Sequence, residues 1–91
     1  MSLLNQGDPM ALVDRLAKVF VASFGFDSSR FSLATVPEDV PNWDSIGHMN
    51  LVSNLEQEFG VQLEVDEIME MSSAVRIAEI LRSKGVPDQV P

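Results

Sequence analysis

The sequence predicts an all-α fold, a small four-helix bundle of three main helices and one short helix, with a long loop between helices one and two. Three segments repeat apolar residues at intervals of three and four, as one face of a helix does, and each is followed by a glycine. Only residues 61–65 alternate like a strand, and they lack a partner strand. A chain of 91 residues is the size of one domain. We assign the domain to residues 8–85, with flexible ends at 1–7 and 86–91 and a candidate cloning remnant at 1–3.

The first helix is predicted to start at Asp8-Pro9, because Asp caps free N–H groups and Pro is tolerated in the first turn. Gly25 is predicted to end it. Its expected buried face is Met10, Leu12, Val13, Leu16, Ala17, Val19, Phe20 and Phe24.

Residues 26–44 have no helical periodicity and contain several turn-forming clusters with Pro, Asp and Asn. A connection of this length must pack against the protein or serve a function. Five apolar anchors predict that it lies across the helical core: Phe26, Phe31, Leu33, Val36 and Val40.

The second helix is predicted to run from Ser45 to Phe59 and to end at Gly60. Its expected apolar stripe is Ile46, Met49, Val52, Leu55 and Phe59, and Leu51 widens it. An irregular link and about one helical turn near residues 65–69 should follow.

Ser72 or Ser73 is predicted to cap the last helix, which Gly85 and Pro87 end. Its expected buried face is Val75, Ile77, Ala78, Ile80 and Leu81.

Negative charge is concentrated in the middle of the chain. The net charge is −8, and residues 31–75 contain nine acidic side chains and no Lys or Arg. Such a field disfavours nucleic acid as a partner and favours basic protein surfaces, although it also keeps a protein soluble. The sequence has no long apolar run and no signal peptide, so we expect a cytoplasmic protein without membrane insertion. The absence of Cys excludes disulfides, a thiolate nucleophile and Cys-based metal sites.

Ser45 is the candidate functional residue. It follows Asp44 at the predicted start of the second helix, where free backbone N–H groups and the helix dipole favour a bound phosphoryl group. The alternative is that Ser45 has only a structural role, since Ser is common at helix starts.

The order of motifs around Ser45 resembles the acyl carrier protein family. The resemblance spans most of the chain, roughly residues 8–85. It is carried by an ordered series: Trp43-Asp44-Ser45-Ile46, Leu51-Val52, Leu55-Glu56-Gln57-Glu58-Phe59-Gly60-Val61 and the segment 73–81. It implies that a 4′-phosphopantetheinyl transferase esterifies Ser45 with 4′-phosphopantetheine from coenzyme A, and that Asp44 helps the transferase to recognise the site. The terminal thiol of the group would then carry an acyl thioester.

The resemblance also implies a monomeric, non-catalytic carrier whose partners are acyl-loading and acyl-transfer enzymes of a lipid, fatty-acid or secondary-metabolite (polyketide) pathway. Its expected partner-binding residues are Ile46, Met49, Glu56, Glu58, Glu67 and Glu70. The sequence departs from the fatty-acid carriers at Asn42, Trp43, Gly47, His48 and Asn50, several of which replace acids. We therefore expect a specialised, discrete carrier, and we expect Gly47→Asp to be tolerated because it removes a helix-weakening Gly.

Several alternatives stay open from the residues alone. The chain could be an aminoacyl or peptidyl carrier with the same graft, or an unmodified helical interaction module. We interpret His48 as a solvated surface side chain in preference to a Ser–His nucleophile pair with Ser45. The acidic segment 64–70 lacks the ligand pattern of an EF-hand, so no metal site is expected.

Met and Trp side chains near Ser45 have two interpretations each. Met49, Met69 and Met71 are expected in the core, where they could also let an acyl chain slip between helices two and three. Trp43 is either an anchor of the loop on the core or an aromatic surface beside the phosphopantetheine.

Overall fold

The computed structural model describes residues 11–87 and has four helices in this part of the chain. They are α1 (Leu12–Phe24), α2 (Ser45–Phe59), α3 (Val65–Glu70) and α4 (Ala74–Ser83). Short 3₁₀ turns at Ser28–Arg30 and Pro37–Asp39 interrupt the long loop, and no strand occurs among the described residues. The all-α prediction with three main helices and one short helix is confirmed.

Helix α1 packs against α2 and α4 through four side chains that are almost fully buried: Leu12, Leu16, Val19 and Phe20. The helix begins with Ala11 in the N-cap position, whereas the start predicted at Asp8-Pro9 lies outside the described residues. It ends as predicted at Gly25, whose φ of 65° is left-handed and whose N–H donates to Val21 O at 2.8 Å.

The loop between α1 and α2 lies on the core, as predicted. Phe26 and Val40 are buried, and the buried Trp43 ring packs edge-on against Phe20 with centroids 5.2 Å apart. At the middle of the loop, Thr35 O accepts a hydrogen bond from Ala74 N, which ties the loop to the start of α4. The interpretation of Trp43 as a core anchor is therefore confirmed.

Helix α2 has the predicted bounds but a different buried face. Residues 47, 51 and 55 recur at intervals of four and are buried, so the stripe begins at Gly47. Ile46 and Met49 are 78% and 55% exposed, so this end of the apolar stripe lies at the surface and the predicted place of Met49 in the core is wrong. The reason is that the loop from residues 42 to 43 packs on the Gly47 side of the helix and leaves the neighbouring side open.

Helices α3 and α4 also agree with the prediction apart from two side chains. Ser73 is the N-cap of α4, where its Oγ accepts from Arg76 N. Met71 is buried, whereas Met69 is exposed and its predicted place in the core is wrong. Val75 is 42% exposed because Ala74, Ile77, Ala78 and Leu81 form the face that α4 buries. Across residues 11–87, none of the helices combines the length and hydrophobicity that spanning a membrane requires.

Candidate functional site

Ser45 is the first residue of α2 and is exposed. The preceding Asp44 is the N-cap, and its Oδ1 accepts a hydrogen bond from Gly47 N at 2.9 Å. Its carbonyl oxygen accepts from His48 N at 2.7 Å. Within residues 11–87, the N–H groups of Ser45 and Ile46 and the Ser45 hydroxyl have no hydrogen-bond partner. The arrangement leaves one hydroxyl and two backbone donors free at the positive end of the helix dipole.

A shallow groove of about 470 Å³ runs beside Ser45. It is lined by Pro37, Trp43, Asp44, Ser45, His48, Met49 and Met71. Apolar and aromatic side chains dominate this lining, and its only charged group is Asp44 at the Ser45 end. A ligand attached to Ser45 could therefore place an anionic end at the helix start and lay an apolar or weakly polar chain along the groove.

His48 is held on both sides of its ring. Trp43 Nε1–H donates to His48 Nδ1 at 2.8 Å. Because an indole N–H can only donate, Nδ1 is the unprotonated nitrogen, and Nε2–H donates to Ile68 O at 2.8 Å. The two rings are also nearly parallel, with an interplanar angle of 11°.

These contacts correct the prediction for His48. The interpretation as a solvated surface side chain is wrong, because the ring is half-buried and both nitrogens are occupied. The same occupation rules out a Ser–His nucleophile pair in this arrangement, in agreement with the sequence-based preference. The sequence places Trp43 five residues before His48, which is a signal for one of the two hydrogen-bond partners. Nothing in the sequence indicates the other partner, the carbonyl of Ile68.

Gly47 is buried where the loop crosses α2. A Cβ at this position would overlap the backbone oxygen of Asn42 and lie 3.0 Å from Phe24 Cε1. Asn42 itself has a φ of 74°, in the left-handed region that Asn tolerates better than most residues. The expectation that Gly47→Asp is tolerated is therefore wrong, since the backbone of the loop occupies the space of any side chain.

The acidic side chains expected to bind partners each have a contact within the chain. Glu58 pairs with Arg15 at 3.0 Å, Glu67 with Lys84 at 2.8 Å, and Glu70 with Arg76 at 2.6 Å, while Glu56 Oε2 accepts from Leu63 N at 2.9 Å. The hydrogen bonds from Lys84 and from the backbone N–H of Glu64 lower the pKa of Glu67. The contacts with Glu79 and Glu70 raise the pKa of the Arg76 guanidinium. Among the described residues, no group of three His or carboxylate side chains is placed to hold a metal ion.

A comparison with known protein families found a match, and the matched residues include this site. Residues 43–81 match the family model described as the phosphopantetheine attachment site. The matched segment begins at Trp43, includes Ser45 and extends over α2, α3 and most of α4. No curated protein matches the chain.

Proposed function

We propose that the chain is a phosphopantetheine-binding carrier domain of the acyl carrier protein family and that Ser45 is the residue to which 4′-phosphopantetheine is attached. Domains of this family bind that prosthetic group. The observation that carries the assignment is the exposed Ser45 hydroxyl, without a hydrogen-bond partner among the described residues, at the first position of α2.

The residues around Ser45 fit the group. The free N–H groups of Ser45 and Ile46 can donate to the anionic oxygens of a phosphodiester, and the helix dipole favours negative charge there. The groove beside Ser45 offers apolar walls to the rest of the arm. When attached, the group supplies a terminal thiol that can form a thioester, and the chain has no thiol of its own because it contains no Cys.

Asp44 has two roles in this proposal. One carboxylate oxygen caps α2 through Gly47 N and thereby stabilises the start of the helix at Ser45. The carboxylate is also exposed, so its other oxygen is open to the 4′-phosphopantetheinyl transferase. Removing the carboxylate should therefore lower both helix stability and the rate of modification.

The carrier itself performs no chemistry in this proposal, and acyl-loading and acyl-transfer enzymes act on the thioester that it presents. Carrier domains of this family interact with the transferase and with such partners. Ile46 and Met49 are the exposed apolar side chains next to Ser45, and we assign them the main partner contacts. The carboxylates of Glu56, Glu58, Glu67 and Glu70 already have contacts within the chain, so we assign them a longer-range attraction to basic partners.

Mass spectrometry after incubation with coenzyme A, Mg²⁺ and a broad-specificity transferase tests the assignment of Ser45. One phosphopantetheinyl group should be added to the unaltered protein and none to Ser45→Ala. Ser53→Ala is the matched control, because Ser53 is exposed on the same helix, and it should be modified normally. Modification of Ser45→Ala would disprove the site, and an unmodified parent protein would favour an interaction module without the graft.

The partner contact has its own test. Ile46→Ala should slow modification by the transferase without unfolding α2, because the side chain is 78% exposed. Val21→Ala is the control, since Val21 is an exposed apolar residue on α1 that does not line the groove beside Ser45. Equal rates for Ile46→Ala and the parent protein would remove Ile46 from the partner surface.

A further inference from the structure

A hydrogen-bonded bridge joins α2 to α3 directly beside Ser45. The bridge runs from the Trp43 indole through the His48 ring to the carbonyl of Ile68 on α3, with both hydrogen bonds 2.8 Å long. His48 lies three residues after Ser45, close to the same face of α2, and lines the groove next to it. Any chain that passed from Ser45 between α2 and α3 would have to displace this ring.

The core behind the bridge is filled. The side chains of Leu51, Leu55, Ile77 and Leu81 are fully buried. Met71, at the floor of the groove, is 2% exposed and is packed into the same core. The adaptable Met49 and Met69, which could have lined a path into the protein, are exposed to solvent. Breaking the bridge would leave the Trp43 N–H and the Ile68 carbonyl without partners beside an apolar cargo, which is unfavourable.

We propose that the Trp43–His48–Ile68 bridge closes the seam between α2 and α3 to the cargo, so that this carrier holds a short or polar acyl group in the surface groove instead of a long alkyl chain in its core. The proposal rests on the attachment of the prosthetic group at Ser45. His48 is the specificity-determining residue, because its ring occupies the seam and takes part in both hydrogen bonds.

The absence of Cys allows a test that does not depend on the transferase. The variant Ser45→Cys has one thiol, which is labelled as a mixed disulfide with octyl or methyl methanethiosulfonate. The ¹³C-methyl NMR shifts of Leu55 and Ile77 then report whether the octyl chain enters the core. The two adducts should have the same core shifts, whereas octyl-specific shifts of both residues with the bridge intact would overturn the proposal.

The variant His48→Ala in the same Ser45→Cys background tests the bridge itself. It removes both hydrogen bonds and leaves the space of the ring to the chain, so the octyl adduct should now shift the methyl resonances of Leu55 and Ile77 relative to the methyl adduct of the same variant. Asn50→Ala is the matched control, because Asn50 is exposed on the same helix and its side chain has no hydrogen bond among the described residues; it should behave like the parent.

If His48→Ala does not fold, His48→Gln replaces it. The Gln side chain has no ring, but its amide can still donate to the Ile68 carbonyl, so this variant should admit the chain in part. An adduct that stays outside in a folded His48 variant would show that the bridge does not close the seam.

A second measurement uses the holo protein. When it is loaded with acetyl or octanoyl groups, hydroxylamine should cleave the two thioesters at rates within about twofold of each other, because neither is shielded from solvent. Protection of the octanoyl thioester by about tenfold would indicate burial and contradict the proposal. Failure of the transferase reaction would refute Ser45 as the graft site but leave the NMR result on the Ser45→Cys adducts standing, so the two proposals fail separately.

Discussion

Replacement of Gly47 by Ala is the most direct test of how the loop and α2 fit together. In an open helix, Gly→Ala stabilises by about 1 kcal/mol because Ala loses less conformational freedom. Here the new Cβ would overlap the Asn42 backbone oxygen, far inside the 3.0 Å that real Cβ atoms keep. The obstacle is backbone, so a side-chain rotation cannot relieve it, and the loop must move away from the helix.

The two effects oppose each other, and the overlap should dominate. Overpacking of a core typically costs about 1–3 kcal/mol, and a rigid backbone obstacle belongs at the upper end of that range. After subtraction of the helix gain, we expect Gly47→Ala to destabilise the protein by about 2 kcal/mol.

Urea denaturation measures this change. With a slope of about 1–1.5 kcal/mol/M for so small a domain, the midpoint should fall by about 1–2 M. Ser53→Ala is the control, because it changes helix propensity at an exposed site of the same helix and should stabilise by a few tenths of a kcal/mol. If Gly47→Ala instead raises the midpoint, the close approach of Asn42 to α2 does not exist in solution.

The Trp43–His48 contact, the ion pair of α3 and the exposed side of α2 can each be tested by substitution. Trp43→Phe keeps an aromatic ring but removes the N–H that donates to His48. It should lower the free energy of unfolding by about 1 kcal/mol in urea titrations, and an unchanged free energy would contradict the bridge. Glu67 has a lowered pKa in the folded protein, so the stability from its contact with Lys84 is present above the ordinary value of 4.5 and is lost as the pH falls through the folded pKa. Glu67→Gln should therefore flatten the acid part of the stability–pH curve, and an unchanged curve would contradict this role. Asn50→Glu places an acid at an exposed position in the first half of α2 and should raise activity with housekeeping fatty-acid elongation enzymes by a few-fold, whereas Asn50→Gln should not. Equal activities would show that charge at position 50 does not limit this activity.

The helices could be predicted from the sequence because their signals are local. Gly25 and Gly60 adopt left-handed φ values of 65° and 64° at the ends of α1 and α2, and the apolar periodicity between such stops is visible in the sequence. The start of α2 at Ser45 could be predicted for the same reason. Asp44 caps the helix by accepting a hydrogen bond from the N–H of Gly47, only three residues later in the chain.

The face that α2 buries could not be predicted from local signals. Ile46 and Met49 fit the apolar period as well as the residues that are buried, and only the path of the loop over Gly47 decides between the two faces. The role of His48 depends on a backbone carbonyl twenty residues away, and a carbonyl leaves no mark in the sequence. A polar residue whose partner is backbone is therefore easily mistaken for a surface residue.

Four of the five departures from the fatty-acid carriers contact one another in the structure, and Asn50 is the exception. Gly47 admits the carbonyl of Asn42, the loop thereby places Trp43 over the core, and Trp43 donates to His48, which holds α3 through Ile68. All four of these neutral residues thus take part in packing or hydrogen bonds, and an acid at position 47 would disrupt the unit instead of adding a docking charge. The neutral start of α2 is in large part a consequence of how the seam beside Ser45 is closed. For this reason, substitutions of Asn50 test whether charge affects activity with fatty-acid elongation enzymes, and substitutions of His48 test where the cargo lies.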